Sequence, residues 1–173
     1  MNTFTLKRID TDSFADFYSL LEQDFCLLER KTADKERQAL ADERFCPCWI
    51  EQDGRRVGYI CYWRLDGYLY VEHFAMLREV RGMHLGTAFL RELLAEADLP
   101  VVLEVERPTD EVTVRRIGFY RYLGFALNTY DYYQPSYHPG QPQVPMYVCS
   151  YKEPLTEQQY QKVITKIKEV VYN

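Results

Sequence analysis

Residues 77–94 read LREVRGMHLGTAFLRELL, a short polar loop that runs directly into an amphipathic helix. The spacing sets that helix over about Leu85 to Ala97. Leu85, Phe89 and Leu93 fall on one face, with Leu90 and Leu94 beside them. A helix start presents unpaired N–H groups and a partial positive charge, so it stabilises an anion. Gly82 and Gly86 let an anionic group come close to the backbone, and Arg81 adds a cation. The G-x-x-x-G spacing alone is a weak signal. Gly86 is followed by Thr87 where a P-loop has lysine, and His84 stands where a third glycine would complete a denser loop. The loop's surroundings therefore decide its reading.

Upstream lies FCPCWIEQDGRRVGYICYWRLDGYLYVEHFAML, with three strand-like runs at about 45–51, 56–64 and 68–76. Asp53-Gly54 and Asp66-Gly67 separate them, and both are strong hairpin signals. Nearer the start, Phe4 to Ile9 alternate as a half-buried strand does. DTDSFADFYSLLEQDF then places Phe14, Phe17, Leu20, Leu21 and Phe25 at helical spacing. The charged run ERKTADKERQALADE is an exposed helix or loop, read as a solvated face. Downstream, PVVLEVE is a short buried strand, and DEVTVRRIGFYRYLGF is a helix ending at Gly124. ALNTYDYYQP and VPMYVCSYKE form a last strand pair joined by SYHPGQPQ, and LTEQQYQKVITKIKEVVY is a terminal amphipathic helix. The order is β-α-(α)-β-β-β-α-β-α-β-β-α. A meander leads into a crossover helix, so the class is α+β with a mixed sheet. No repeat or linker divides the chain, and residues 1–173 are expected to form a single domain.

The composition is that of an ordinary globular protein, 47% apolar and 27% charged. The net charge of −5 and the lack of a basic stripe argue against nucleic acid. Cys26, Cys46, Cys48, Cys61 and Cys149 are odd in number and scattered, which suits reduced thiols. Cys46-Pro47-Cys48 has no second Cys/His pair at zinc spacing, so strand cysteines are the preferred reading and no metal is expected. The opening MNTFTLKRIDTDSF lacks an apolar signal core, and no stretch is apolar enough to span a membrane. A cytoplasmic location is expected, and a homodimer is allowed.

The motifs in this order resemble the GNAT superfamily of acyl-CoA-dependent N-acetyltransferases. The resemblance covers about Cys46 to Tyr151. Its first motif, Q/R-x-x-G-x-G/A, is matched by Arg81, Gly82, Met83, His84, Leu85 and Gly86, with His84 departing at the fourth position. The second, A-x-x-F/L-Y-x-x-x-G-F, is matched by RRIGFYRYLGF. Phe119-Tyr120 and Gly124-Phe125 are in register, Arg116 stands where small residues are common, and Thr113 where Asn is frequent.

The resemblance implies a single central, mostly antiparallel sheet of about six or seven strands, with helices on both faces and a splay between the fourth and fifth strands. It implies acetyl-CoA as co-substrate. The pantetheine arm would pair with the strand end Ala75, Met76 and Leu77, after Phe74, as an added strand does. The pyrophosphate would sit on main-chain N–H groups of Arg81, Gly82, Met83, His84, Leu85, Gly86 and Thr87. Thr113, Arg116 and Phe119 would complete the cofactor-binding set. His84 is acceptable there provided its backbone is not left-handed.

The reaction implied is attack of a primary amine, on a small molecule or a peptide/lysine, upon the thioester. An alkylammonium has a pKa near 10 and must first lose a proton. Glu72 is the first choice of base, and strand alternation puts it on one face with Phe74, opposite His73 and Ala75. Glu104 and Glu106 are the alternatives. Tyr120 is in the position of the family's acid, which protonates the leaving thiolate. The N–H near Met76 would polarise the carbonyl. Tyr130, Tyr132, Tyr133 and Tyr137 either contact a cationic acceptor or, the preferred reading, pack in a strand pair. A GNAT-like module that binds acyl-CoA as a sensor without turnover is the alternative function.

Overall fold

The computed structural model describes residues 3–173. In chain order the elements are β1 (Thr5–Arg8), α1 (Phe14–Asp24), α2 (Ala33–Ala39), β2 (Phe45–Gln52), β3 (Arg55–Leu65), β4 (Tyr68–Met76), α3 (Leu85–Glu96), β5 (Val101–Glu106), α4 (Glu111–Tyr122), β6 (Phe125–Gln134), β7 (Val144–Tyr151) and α5 (Glu157–Val171). Short 3-10 turns occupy Leu27–Glu29 and Arg78–Val80. The strand order is β1-β2-β3-β4-β5-β7-β6, a mixed sheet of seven strands. The chain divides into two compact units. One runs to Arg64 and takes in Val71–Glu96; the other holds Leu65–Tyr70 and Ala97–Asn173.

In the first unit β1 pairs antiparallel with β2 and β2 with β3. The β2–β3 turn is the expected hairpin: Asp53 and Gly54 both have positive φ, 50° and 74°, as a type I′ turn requires. Helix α1 buries Phe14, Phe17, Tyr18 and Leu21, and Phe17 meets Trp49 and Tyr59 edge-on at 6.3 and 5.5 Å. Helix α3 buries Phe89, Leu90 and Leu94, and Phe89 packs against Phe4 and Phe74. Leu85 and Leu93 stay half-exposed, so the buried stripe is rotated from the expected one.

In the second unit β4 begins beside β5, with the Leu69 N–H donating to the Pro100 carbonyl at 2.9 Å. The connection from β4 to β5 passes through α3, a crossover of the kind that sets two neighbouring strands parallel. β7 lies antiparallel between β5 and β6, and the β6–β7 register is irregular between Asn128 and Tyr132. Helix α5 has a capping box, Thr156 with Gln159, and buries Tyr160, Val163, Ile164, Ile167 and Val171. Each such side chain contributes about 1.5–3 kcal/mol when fully removed from water, so burial rather than propensity holds this helix. Among the described residues no helix is long and apolar enough to cross a membrane.

Candidate functional site

The loop between β4 and α3 folds back on itself. Leu77 N–H donates to Val57 O at 2.9 Å and closes the end of β4 on β3. Val80, Arg81 and Met83 N–H donate to the carbonyls of Leu77, Arg78 and Val80 at 3.1, 3.3 and 3.3 Å. The first helical bond runs from Ala88 N–H to His84 O at 3.1 Å. No described residue accepts from the N–H groups of Gly82, His84, Leu85, Gly86 or Thr87. These five main-chain donors are therefore open to an anion at the positive end of α3, whereas those of Arg81 and Met83 are already used.

The backbone corrects one expectation. His84 has φ 59°, in the left-handed region it was expected to avoid, two residues after Gly82 at φ 83°. The chain reverses twice to enter α3, and histidine is among the few side-chain-bearing residues that tolerate the second reversal, at about 1–2 kcal/mol. Its imidazole is exposed. Gly86 has a different task from the one its spacing suggested. A Cβ there would lie 3.2 Å from Met76 Cγ and 3.5 Å from Phe74 Cζ, so its missing side chain seats α3 on β4.

Arg81 turns back into the protein. Its Nε donates to the Met76 carbonyl at 2.9 Å, and Nη2 donates to Asp24 Oδ1 at 2.6 Å. Met83 is 61% exposed at the tip of the loop. Ala75, Met76 and Leu77 are half-exposed along the end of β4.

Glu72 is not an open base. Its side chain has no exposed surface, accepts from Lys31 Nζ at 2.6 Å and from Trp63 Nε1 at 2.6 Å, and is enclosed by β3 and the α1–α2 segment. Burial alone would raise its pKa. The Lys31 charge and these hydrogen bonds prevail and hold it at about 2, where a carboxylate is a poor proton acceptor at neutral pH. Behind Lys31 lies Glu36, fully buried, both of its oxygens without a partner among the described residues and its pKa pushed up to about 8 by burial and by the Glu72 charge. The run expected to be a solvated face thus sends two charged residues inward, because Glu72 supplies a partner for Lys31. The strict alternation along β4 is also broken. His73 Nε2 bonds Glu29 O at 2.7 Å, so Glu72 and His73 both reach the α1–α2 segment, while Phe74 stacks on Phe89 of α3.

In the second unit Tyr120 lies on α4, half-buried, edge-on to Phe119 at 5.3 Å and Phe125 at 5.6 Å. Its hydroxyl bonds to no described residue, and burial pushes its pKa up to about 12 against the pull of Arg116. Phe119 is half-exposed. Thr113 serves the helix instead of a ligand. It is 3% exposed, its N–H donates to Asp110 Oδ1 at 2.8 Å, and its hydroxyl accepts from Thr109 and Asp110 N–H at 3.0 and 3.1 Å. Arg116 reaches Glu106 at 3.2 Å, an exposed pair of little energetic weight. Glu104 is closed off as a base: Tyr132, Gln134 and Tyr172 all donate to its buried carboxylate, whose pKa burial nonetheless raises. Tyr132 and Tyr137 are buried, and Tyr130 stacks on Tyr160 at 4.5 Å, so these three pack; Tyr133 is 44% exposed beside Arg107.

Sequence reasoning missed Lys31, Glu36, Trp63, Asp24 and Tyr59. One of them left a signal. Asp24 ends α1, and an acid at a helix C-terminus opposes the macrodipole unless cations or donors compensate it.

The profile of the Acetyltransferase (GNAT) family matches residues 13–125. Among solved structures, a GNAT-family protein from Bacteroides thetaiotaomicron is 33% identical over 97% of this chain and 98% of its own, with a TM-score of 0.91. A spermidine N-acetyltransferase chimera from Vibrio cholerae and hSSAT is 12% identical, over 93% of this chain and 99% of its own, with a TM-score of 0.62. Arabidopsis thaliana Naa50, in complex with the bisubstrate analogue CoA-Ac-MVNAL, is 19% identical over 89% and 100%, with a TM-score of 0.60. The last two share the fold. No curated protein sequence matches the chain.

Proposed function

The chain belongs to the GNAT acetyltransferase family, and from that premise we propose that it transfers an acetyl group from acetyl-CoA to a primary amine by direct attack in a ternary complex. The observation that carries this reading is the row of open N–H donors from His84 to Thr87, with Gly82, at the start of α3. The pyrophosphate of acetyl-CoA takes those donors, and the end of β4 at Ala75, Met76 and Leu77 takes the pantetheine arm. The co-substrate carries the acetyl group; no metal is invoked.

The amine nitrogen attacks the thioester carbonyl, the carbon–nitrogen bond forms and the carbon–sulfur bond breaks. The ammonium gives up one proton before attack and the nitrogen a second as the amide forms; the departing thiolate takes up one, through the Tyr120 hydroxyl, which is re-protonated from solvent. Tyr120 serves the sulfur: at a pKa of about 12 its phenol carries its proton at neutral pH and so is available as the donor to the departing thiolate. With Glu72 and Glu104 closed by partners and Glu106 paired with Arg116, the nitrogen's protons pass to water. Glu72 then acts as the buried anion that fixes Lys31. The acceptor is a small-molecule amine or a peptide/lysine amine. The closed Glu72–Lys31 pair favours one further reading, a module that binds acyl-CoA and senses it without turnover.

Thiol release with a panel of primary amines tests both. Acetyltransfer predicts release with at least one amine, and a loss of about 10²-fold or more in kcat for Tyr120→Phe with acetyl-CoA affinity unchanged. Acetyl-CoA binding without thiol release for any amine supports the sensor. Equal rates in Tyr120→Phe would remove the phenol from the mechanism.

A further inference from the structure

We propose that Asp24 is a positioning residue for the acyl-CoA cradle, acting through Arg81. The inference rests on the acyl-CoA reading of the β4–α3 loop.

Asp24 is the last residue of α1, and its side chain is 10% exposed. Its two oxygens are divided between two elements. Oδ1 accepts from Arg81 Nη2 at 2.6 Å, and Oδ2 accepts from the Tyr59 hydroxyl of β3 at 2.8 Å. Burial and the Asp24 carboxylate raise the Tyr59 pKa, so the phenol remains a donor. Arg81 in turn donates Nε to the Met76 carbonyl at 2.9 Å. A continuous chain of charge-assisted hydrogen bonds thus runs from β3 through the end of α1 to the cradle loop and the last residue of β4.

Two facts give this chain a purpose beyond packing. A carboxylate at the C-terminus of α1 is unfavourable in the helix field, and the last turn contains no basic residue to offset it. The compensation comes from the loop that precedes α3. Arg81, the cation read from sequence as a phosphate contact, is turned toward Met76 and Asp24 by its Nε and Nη2, with its side chain 47% exposed. Its contribution is therefore to fix the backbone that presents Gly82 and His84 to Thr87. A planar fork held at two points sets orientation as well as distance. A cradle made of main-chain donors gains affinity from being pre-formed, so loosening its anchor weakens binding without removing any ligand contact.

The test is acetyl-CoA affinity by calorimetry for the full chain and the variants Asp24→Asn, Asp24→Glu and Tyr59→Phe, each with its ligand-free urea midpoint. Asp24→Asn is expected to weaken acetyl-CoA binding about tenfold, as loss of a charged hydrogen bond of about 1.5 kcal/mol does. Asp24→Glu should recover most of that loss, and Tyr59→Phe should weaken binding by about threefold. A merely structural Asp24 would lower the urea midpoint and leave the dissociation constant unmoved; that result, or an affinity within twofold of the parent in Asp24→Asn, overturns the proposal. Should Asp24→Asn fail to fold, Tyr59→Phe decides, with unchanged affinity counting against it. A parent chain that binds no acetyl-CoA at all would instead overturn the functional reading on which this inference rests.

Discussion

At position 84 the backbone holds φ 59° and the residue is histidine. The carbonyl of that residue opens the hydrogen-bond ladder of α3, so the conformation is fixed by the helix and not by the imidazole, which is exposed. A side chain is present where the conformation favours none. The proposed cradle would tolerate it because its donors are main-chain, but the chain bears the steric cost. Replacing His84 by Gly should raise stability by about 0.5–1 kcal/mol, relief of the strain being partly offset by the freedom glycine gains when unfolded. Replacing it by Val should lower stability by about 1–3 kcal/mol, because a β-branched residue is a true outlier at positive φ. Urea unfolding of the two variants gives the sign directly. A loss with Gly would show that the imidazole itself makes a stabilising contact.

At the scale of elements, helix α2 has the most distinctive chemistry in the first unit. It carries Glu36 into a fully buried position beside the Lys31–Glu72 pair. The folded pKa of Glu36, about 8, lies above its ordinary 4.5, so between those values the folded state keeps a proton that the unfolded chain releases. Stability must fall as pH rises through that window. Glu72, at about 2, does the opposite: its contribution is lost as pH falls from 4.5 towards 2. The cluster is therefore most stabilising near pH 4.5. Glu36→Gln should abolish the loss between pH 5 and pH 8, worth a few kcal/mol at most, and unfolding midpoints at those two pH values check it. An unaltered slope in the variant would place the titration elsewhere. This element also marks where sequence legibility ends. The meander was readable because Asp53-Gly54 and Asp66-Gly67 punctuate alternating runs, and β2 to β4 fall within a residue or two of their expected bounds. The burial of Lys31 and Glu36 was not, because a charged run gives no local sign that a carboxylate 41 residues away from Lys31 will neutralise it. The face of Glu72 was misjudged for a similar reason: alternation assumes a regular strand, and contacts made only in the fold break it at His73.

Across the whole molecule, the family was legible from two spaced motifs, and the profile match over residues 13–125 with the 33% identical relative shows it. The site was legible in part. The N–H row at α3 and the half-exposed end of β4 at Met76 follow from the motif, while the pairing of Arg81 with Asp24 and the capping duty of Thr113 are tertiary facts. The acceptor amine has no comparable motif, since the tyrosines suggested for it mostly pack against one another. What the reading requires first is that the full chain bind acyl-CoA. The measurement that tests this most directly is thermal unfolding with and without acetyl-CoA at about 100 times its dissociation constant. Acyl-CoA binding predicts about 2.7 kcal/mol of added stability, a rise of about 5–10 °C in Tm, with CoA giving a shift in the same direction. An unchanged Tm with both ligands would contradict it.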